Sequence, residues 1–162
     1  MNRRSTFVLA ATTVLGLAIG GFPQHSFAQS NPMIGTWKLN LDKSRFSPGT
    51  APRSATLNYQ QDGQNFRNTG QTIDAQGNST TTVWLHIYDG QPHPTTGASD
   101  YDASAYTRVD ANTLIFNRFK AGRLIATGTI VVSPDGKTET VTTTGTGTTL
   151  AAATGVSVWD KQ

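Results

Sequence analysis

The 162-residue chain contains no cysteine. That excludes a disulfide framework, a thiol nucleophile and a cysteine-ligated zinc site. Glu139 is its one glutamate. Strong helix formers are scarce and no stretch carries a 3.6-residue apolar period, which excludes a helical domain. Like charges never run to five, so there is no basic or acidic tail. The formal charge of +3 includes Arg3 and Arg4. Beyond residue 28, 11 Lys and Arg face 10 Asp and Glu. That balance gives no electrostatic basis for binding nucleic acid or an anionic membrane. His86 and His93 are seven residues apart, which is not a metal-ligand spacing. There is no Gly-x-Ser-x-Gly elbow. Asp100-Tyr101-Asp102 has only the alternation of a calcium loop, and reads instead as turn chemistry. No catalytic residue, metal ligand or cofactor is assigned.

The chain does carry a leader-like start. Arg3-Arg4 precedes an apolar stretch, Phe7 to Gly21, and Ser26-Phe27-Ala28 places small residues where a signal peptidase reads. This predicts a secretory signal peptide over 1–28, cleaved after Ala28, and a mature domain over 29–162. The apolar stretch is too short to span a bilayer. The expected location is periplasmic or secreted, with no membrane span and no oligomeric state assigned.

Beyond residue 28, 23 of 134 residues are threonine. Turn dipeptides Asp62-Gly63, Asp89-Gly90 and Asp135-Gly136 punctuate segments with two-residue alternation. Expected strands cover 34–41, 54–61, 64–73, 79–88, 103–110, 113–120, 123–133, 137–146 and 155–161. Ala55, Leu57 and Tyr59 share one face, as do Leu124, Ala126, Gly128, Ile130 and Val132. One short helical turn is expected over Asp42–Phe46. Thr142-Thr143-Thr144 reads as a Thr-rich strand with a polar outer face. The fold class is all-β: a single antiparallel meander closed into a small barrel of about eight to nine strands, since open edges invite aggregation.

Gly35-Thr36-Trp37-Lys38-Leu39 opens the first strand. Gly-x-Trp at this place resembles the first motif of the lipocalins and the wider calycin group. The longer run Gly35 to Phe46, with Tyr88-Asp89-Gly90, Arg108 to Thr113 and Ser133 to Thr138, is similar to small secreted bacterial lipocalin-like proteins of unassigned function. The resemblance implies that Gly35 and Trp37 form the base of the barrel and that a late-strand cation packs across the indole. Lys161, Arg123 and Arg118 are the candidates for that cation, with Lys161 preferred because last and first strands are neighbours in a closed barrel.

The functional readings differ in what fills the interior. One is a barrel binding a small apolar or amphipathic molecule. The others are a structural or envelope-stress protein with a filled core, and a small lipid-acting enzyme on the same scaffold. Residues 79–88 present Val83, Leu85 and Ile87 on one face and Trp84, His86 and Tyr88 on the other. A one-residue slip would exchange them. If the aromatic face points inward, Trp84, His86 and Tyr88 line a cavity, with Tyr59 and Tyr106 as further lining. The shortage of Leu and Ile favours that arrangement.

Overall fold

The computed structural model describes residues 31–47 and 51–162. The leader expected over 1–28 lies outside the described residues. Among the described residues ten strands follow one another: β1 (Gly35–Phe46), β2 (Ser54–Asp62), β3 (Asn65–Ile73), β4 (Ser79–His86), β5 (His93–Pro94), β6 (Ala103–Arg108), β7 (Thr113–Lys120), β8 (Arg123–Val132), β9 (Thr138–Thr146) and β10 (Ala153–Lys161). All pairings are antiparallel, in the order β4-β3-β2-β1-β10-β9-β8-β7-β6-β5. The all-β meander is as expected, but it has ten strands rather than eight or nine. The extra one is β5, two residues in the Pro92-His93-Pro94 loop. Proline's missing N–H makes such a segment look like a plain loop in sequence.

Closure depends on what faces β4. Its free edge meets the chain just after β5, where Val83 and Thr96 exchange both backbone hydrogen bonds, at 2.8 and 3.1 Å. The barrel is therefore nearly closed, with a single bridge across the seam. Gly97 follows that bridge with φ +84°, and a Cβ there would collide with the Thr81 carbonyl oxygen. The seam thus requires a residue free to enter the left-handed region.

Two strands depart from the expected pattern. Asp42–Phe46 is not helical: β1 runs on to Phe46, and the β1–β10 register shifts between Asn40 and Arg45. The extra residues form a bulge held by Ser44, whose Oγ donates to Asn40 O (2.6 Å) and accepts from Val158 N (3.0 Å). A second shift lies between Arg118 and Phe119 on the β7–β8 pair. It breaks the alternation of β8, so Leu124 is 58% exposed while Ala126, Ile130 and Val132 are buried. A bulge flips the parity of every residue beyond it.

One end of the barrel, the base, is filled by Met33, Trp37, Leu114 and Val132, each almost wholly buried. The other end carries the connections 74–78, 95–102 and 147–152. Asp100 fastens that last loop, accepting hydrogen bonds from Thr148 N (2.7 Å), Thr149 N (3.0 Å) and Thr149 Oγ1 (2.9 Å). Asp102 accepts from Ala121 N at 3.0 Å. Both aspartates therefore tie remote loops together, where the sequence suggests local turn chemistry with nearby amides. Among the described residues, no helix is long and apolar enough to cross a membrane.

Candidate functional site: an interior cavity over a sealed polar tier

The two-residue period of β4 settles which face is inside. Trp84 and His86 are buried, whereas Val83 and Leu85 are half-buried on the outer side. The aromatic face points inward. Above the base this leaves a cavity of about 350 Å³, walled by Leu57, Tyr59, Asn68, Trp84, Tyr101, Tyr106, Phe116, Arg118, Ile130, Val141, Ser157 and Trp159. Its mouth is formed by residues of 74–76, 98–99 and 148–151, with Ala51 and Pro52. That volume falls at the small end of pockets that hold organic ligands, roughly 300–1,000 Å³.

Among the described residues, Arg118 is the one cation in this wall. It continues the inward face of β7 after Leu114 and Phe116, and is 5% exposed. Its guanidinium carbon lies 4.3 Å from the Phe116 ring centre, 5.1 Å from Tyr106, 5.4 Å from Tyr101 and 5.9 Å from Trp84. Nη1 donates to Tyr106 Oη at 3.0 Å, while the buried Nε has no hydrogen-bond partner. The ion pairs among the described residues join Lys43 to Asp160, Arg67 to Asp62 and His93 to Asp89. None involves Arg118. Across the wall Trp84 Nε1 donates to Tyr101 Oη at 2.9 Å, and Asn68 Oδ1 is buried without a partner.

Beneath the cavity lies a second polar tier. Glu139, at the start of β9, is fully buried, and Tyr59 Oη donates to its Oε1 at 3.2 Å. Burial pushes the Glu139 carboxyl up to about 8, against the smaller opposing pull of the Tyr59 hydrogen bond and the Lys161 charge. His86 stacks on Tyr106 at 3.8 Å between ring centres and meets Tyr59 edge-on at 5.5 Å. Neither of its ring nitrogens has a partner. Burial first, then the Arg118 and Arg108 charges, hold His86 down to about 3, so it is neutral. Burial likewise raises the Tyr59 and Tyr106 hydroxyls.

The five aromatic-face candidates therefore separate. Trp84, Tyr59 and Tyr106 line the cavity. His86 is buried beside it without reaching its wall. Tyr88 lies past the end of β4, half-buried, with Arg108 4.5 Å from its ring centre. At the base, Trp37 is 0% exposed and its Nε1 donates to Met33 O at 2.8 Å. Lys161 Nζ stands 5.0 Å from the Trp37 ring centre and donates to Pro32 O at 2.9 Å. Gly35 has φ +129°, and a Cβ there would lie 3.0 Å from Lys161 Cε, so the lysine stem passes across the glycine to reach the indole. Of the alternative cations, Arg118 faces the cavity and Arg123 is exposed on β8.

Sequence reading did not anticipate Glu139, Asn68, or Arg118 as a cavity residue. The signal for Arg118 was its parity with Leu114 and Phe116, since a cation extending an apolar face is either a bulge or a buried charge. Among the described residues, no three His, Cys, Asp or Glu side chains gather as a metal site. No protein-family model matches the chain, and no curated protein matches it.

Proposed function

We propose that this chain is an exported lipocalin-like barrel that holds one small amphipathic molecule in its interior. The observation that carries this reading is the cavity of about 350 Å³ with a mixed wall of aromatic rings and polar tips. A core meant only for stability is close-packed, and a void of this size forfeits contacts on every side. Tyr, Trp and Asn in the wall combine apolar area with a few fixed hydrogen-bonding groups, the composition of a small-molecule site. The outward face of β3 carries Arg67, Thr69 and Gln71, which is no lipid-facing band. An enzyme is the weaker reading, because Glu139 and His86 lie outside the cavity wall. Export rests on the leader, and N-terminal sequencing of protein from the periplasm or medium should begin at Gln29.

The test of binding is titration with a small neutral dye, N-phenyl-1-naphthylamine, while tryptophan fluorescence is followed. Trp84 and Trp159 line the cavity and Trp37 does not. Saturable one-to-one quenching is expected, reduced in Trp84→Phe. Absence of saturable binding across a broad panel of small apolar ligands would leave a purely structural role as the better account.

A further inference from the structure

We propose that the ligand is an anion, an amphipathic monocarboxylate whose head group is received by Arg118 while its apolar body lies among the cavity's aromatic and aliphatic side chains. This rests on the cavity being a ligand site, and names the chemistry that the site selects. A guanidinium taken out of water needs compensation from a counter-charge or a full set of hydrogen bonds. Arg118 has four rings near it, one hydrogen bond to Tyr106 Oη, an unpartnered Nε and no ion pair with a described acid.

The rings supply part of the compensation, since a cation near a π-face is attracted by the ring quadrupole. They cannot supply what a planar fork of N–H donors recognises best, a carboxylate with two acceptor oxygens. The Tyr106 hydrogen bond holds one arm of the fork from the side. Arg118 forms part of the cavity wall. Trp84, Tyr101 and Phe116 stand around the same guanidinium, so a carboxylate reaching it would place its attached carbons against apolar surface. Tyr101 Oη accepts from Trp84 Nε1 and retains its own proton to donate. Its ionisation is pushed well up, by burial above all, so it meets an anion as a neutral donor.

The acids that could compete for Arg118 lie elsewhere. Glu139 is in the sealed tier with Tyr59, and its neutral form dominates around neutral pH, since burial lifts it to about 8. Asp74, the acid at the cavity mouth, accepts hydrogen bonds from Gln76 N, Asn78 N and Asn78 Nδ2, and Asp100 is engaged by the 147–152 loop through three more. Among the described residues, the one cation of the wall is therefore left to a ligand.

The experiment compares matched pairs that differ only in the head group: octanoate against 1-octanol, and 4-phenylbutyrate against 4-phenylbutanol. Each is titrated calorimetrically into the wild-type chain and into Arg118→Gln and Arg118→Lys. A charge-assisted hydrogen bond predicts that the wild type prefers each acid by roughly ten- to a hundredfold. Arg118→Gln should erase the preference by weakening the acids alone, with the alcohols unchanged. Arg118→Lys, which keeps a charge and loses the fork, should fall between. Equal binding of acid and alcohol by the wild type overturns the anion site and leaves the cavity reading standing. Equal weakening of both by Arg118→Gln makes Arg118 a wall residue only, and also overturns it. If neither member of either pair binds the wild type, both readings fall. Should the variants not fold, the head-group preference of the wild type decides.

Discussion

The two ends of this barrel solve the same packing problem in opposite ways. At the base, Trp37, Met33, Leu114 and Val132 fill the interior, and Lys161 stays at the edge with its stem over Gly35 and its ammonium by the Trp37 ring. Toward the mouth the interior is hollow, and the one cation in the wall is inside, ringed by aromatics. The base uses a large ring to remove apolar surface from water. The mouth half uses similar rings to shape a space. Aromatic content alone therefore does not distinguish a core from a site. What does is whether the rings meet one another or face a void with an unpaired charge.

The sharpest way to break that contrast is to truncate one large side chain in each half. Trp37→Ala should destabilise by about 3–5 kcal/mol, because a wholly buried ring leaves a cavity that its neighbours cannot collapse into. Leu150→Ala, at the half-buried mouth, should cost about 1 kcal/mol or less, since it enlarges a space that already exists. Urea unfolding followed by circular dichroism measures both. Equal losses would mean that the mouth half is packed as tightly as the base.

A second contrast is electrostatic and concerns the sealed tier between the halves. The folded-state pKa of Glu139 is raised, to about 8, above an ordinary value of 4.5. Its contribution to stability is fully present below about pH 4.5 and is lost as pH rises toward 8. The folded-state pKa of His86 is lowered, from 6.5 to about 3. Its contribution is fully present above 6.5 and is lost as pH falls toward 3. Between 4.5 and 6.5 the two slopes oppose each other, so the window from pH 6.5 to 8 isolates Glu139. There the wild type should lose about 2 kcal/mol. Glu139→Gln, neutral at every pH and still an acceptor for Tyr59, should show a flat profile. A wild-type profile just as flat would mean that the carboxyl titrates normally and that water reaches it.

Much of the architecture could be read from residues with one physical meaning each. Gly63, Gly90 and Gly136 all adopt positive φ, as Asp-Gly turns require, and they bound the strands where the sequence places them. The Ala55, Leu57 and Tyr59 alternation put the correct face of β2 inside. Four features were hidden for specific reasons. β5 is two residues long, contains proline and exists only because Ser104 and Ala103 pair with it. The bulges at Asn40–Arg45 and Arg118–Phe119 change parity without any glycine or proline to mark them. The face of β4 was ambiguous because both sides are apolar, and the neighbouring strand resolves it through the pairing of Asn68 with Trp84. Glu139 stayed invisible because a lone acid in a Thr-rich strand reads as solvent-facing. Only its register opposite Trp159 and Val132 places it inside.

A third contrast tests whether the base cation matters as a charge or as a stem. Lys161→Met keeps an unbranched apolar chain that can still cross Gly35 and cover the indole. It removes the ammonium 5.0 Å from the Trp37 ring centre and the hydrogen bond to Pro32 O. The cost should be about 0.5–2 kcal/mol, the range for a cation at a partly shielded ring. A loss as large as that of Trp37→Ala would mean that the lysine anchors the chain entering β1. There is also an electrostatic signature. The Lys161 charge holds the Glu139 carboxyl below where burial alone would put it. With the charge gone, the folded-state pKa rises further. The alkaline loss of stability, which in the wild type levels off near pH 8, should then continue to higher pH in Lys161→Met. A variant that unfolds along the wild-type pH curve, displaced only by a constant, would show that the ammonium does not reach Glu139 through the base and that the lysine acts there as a stem alone.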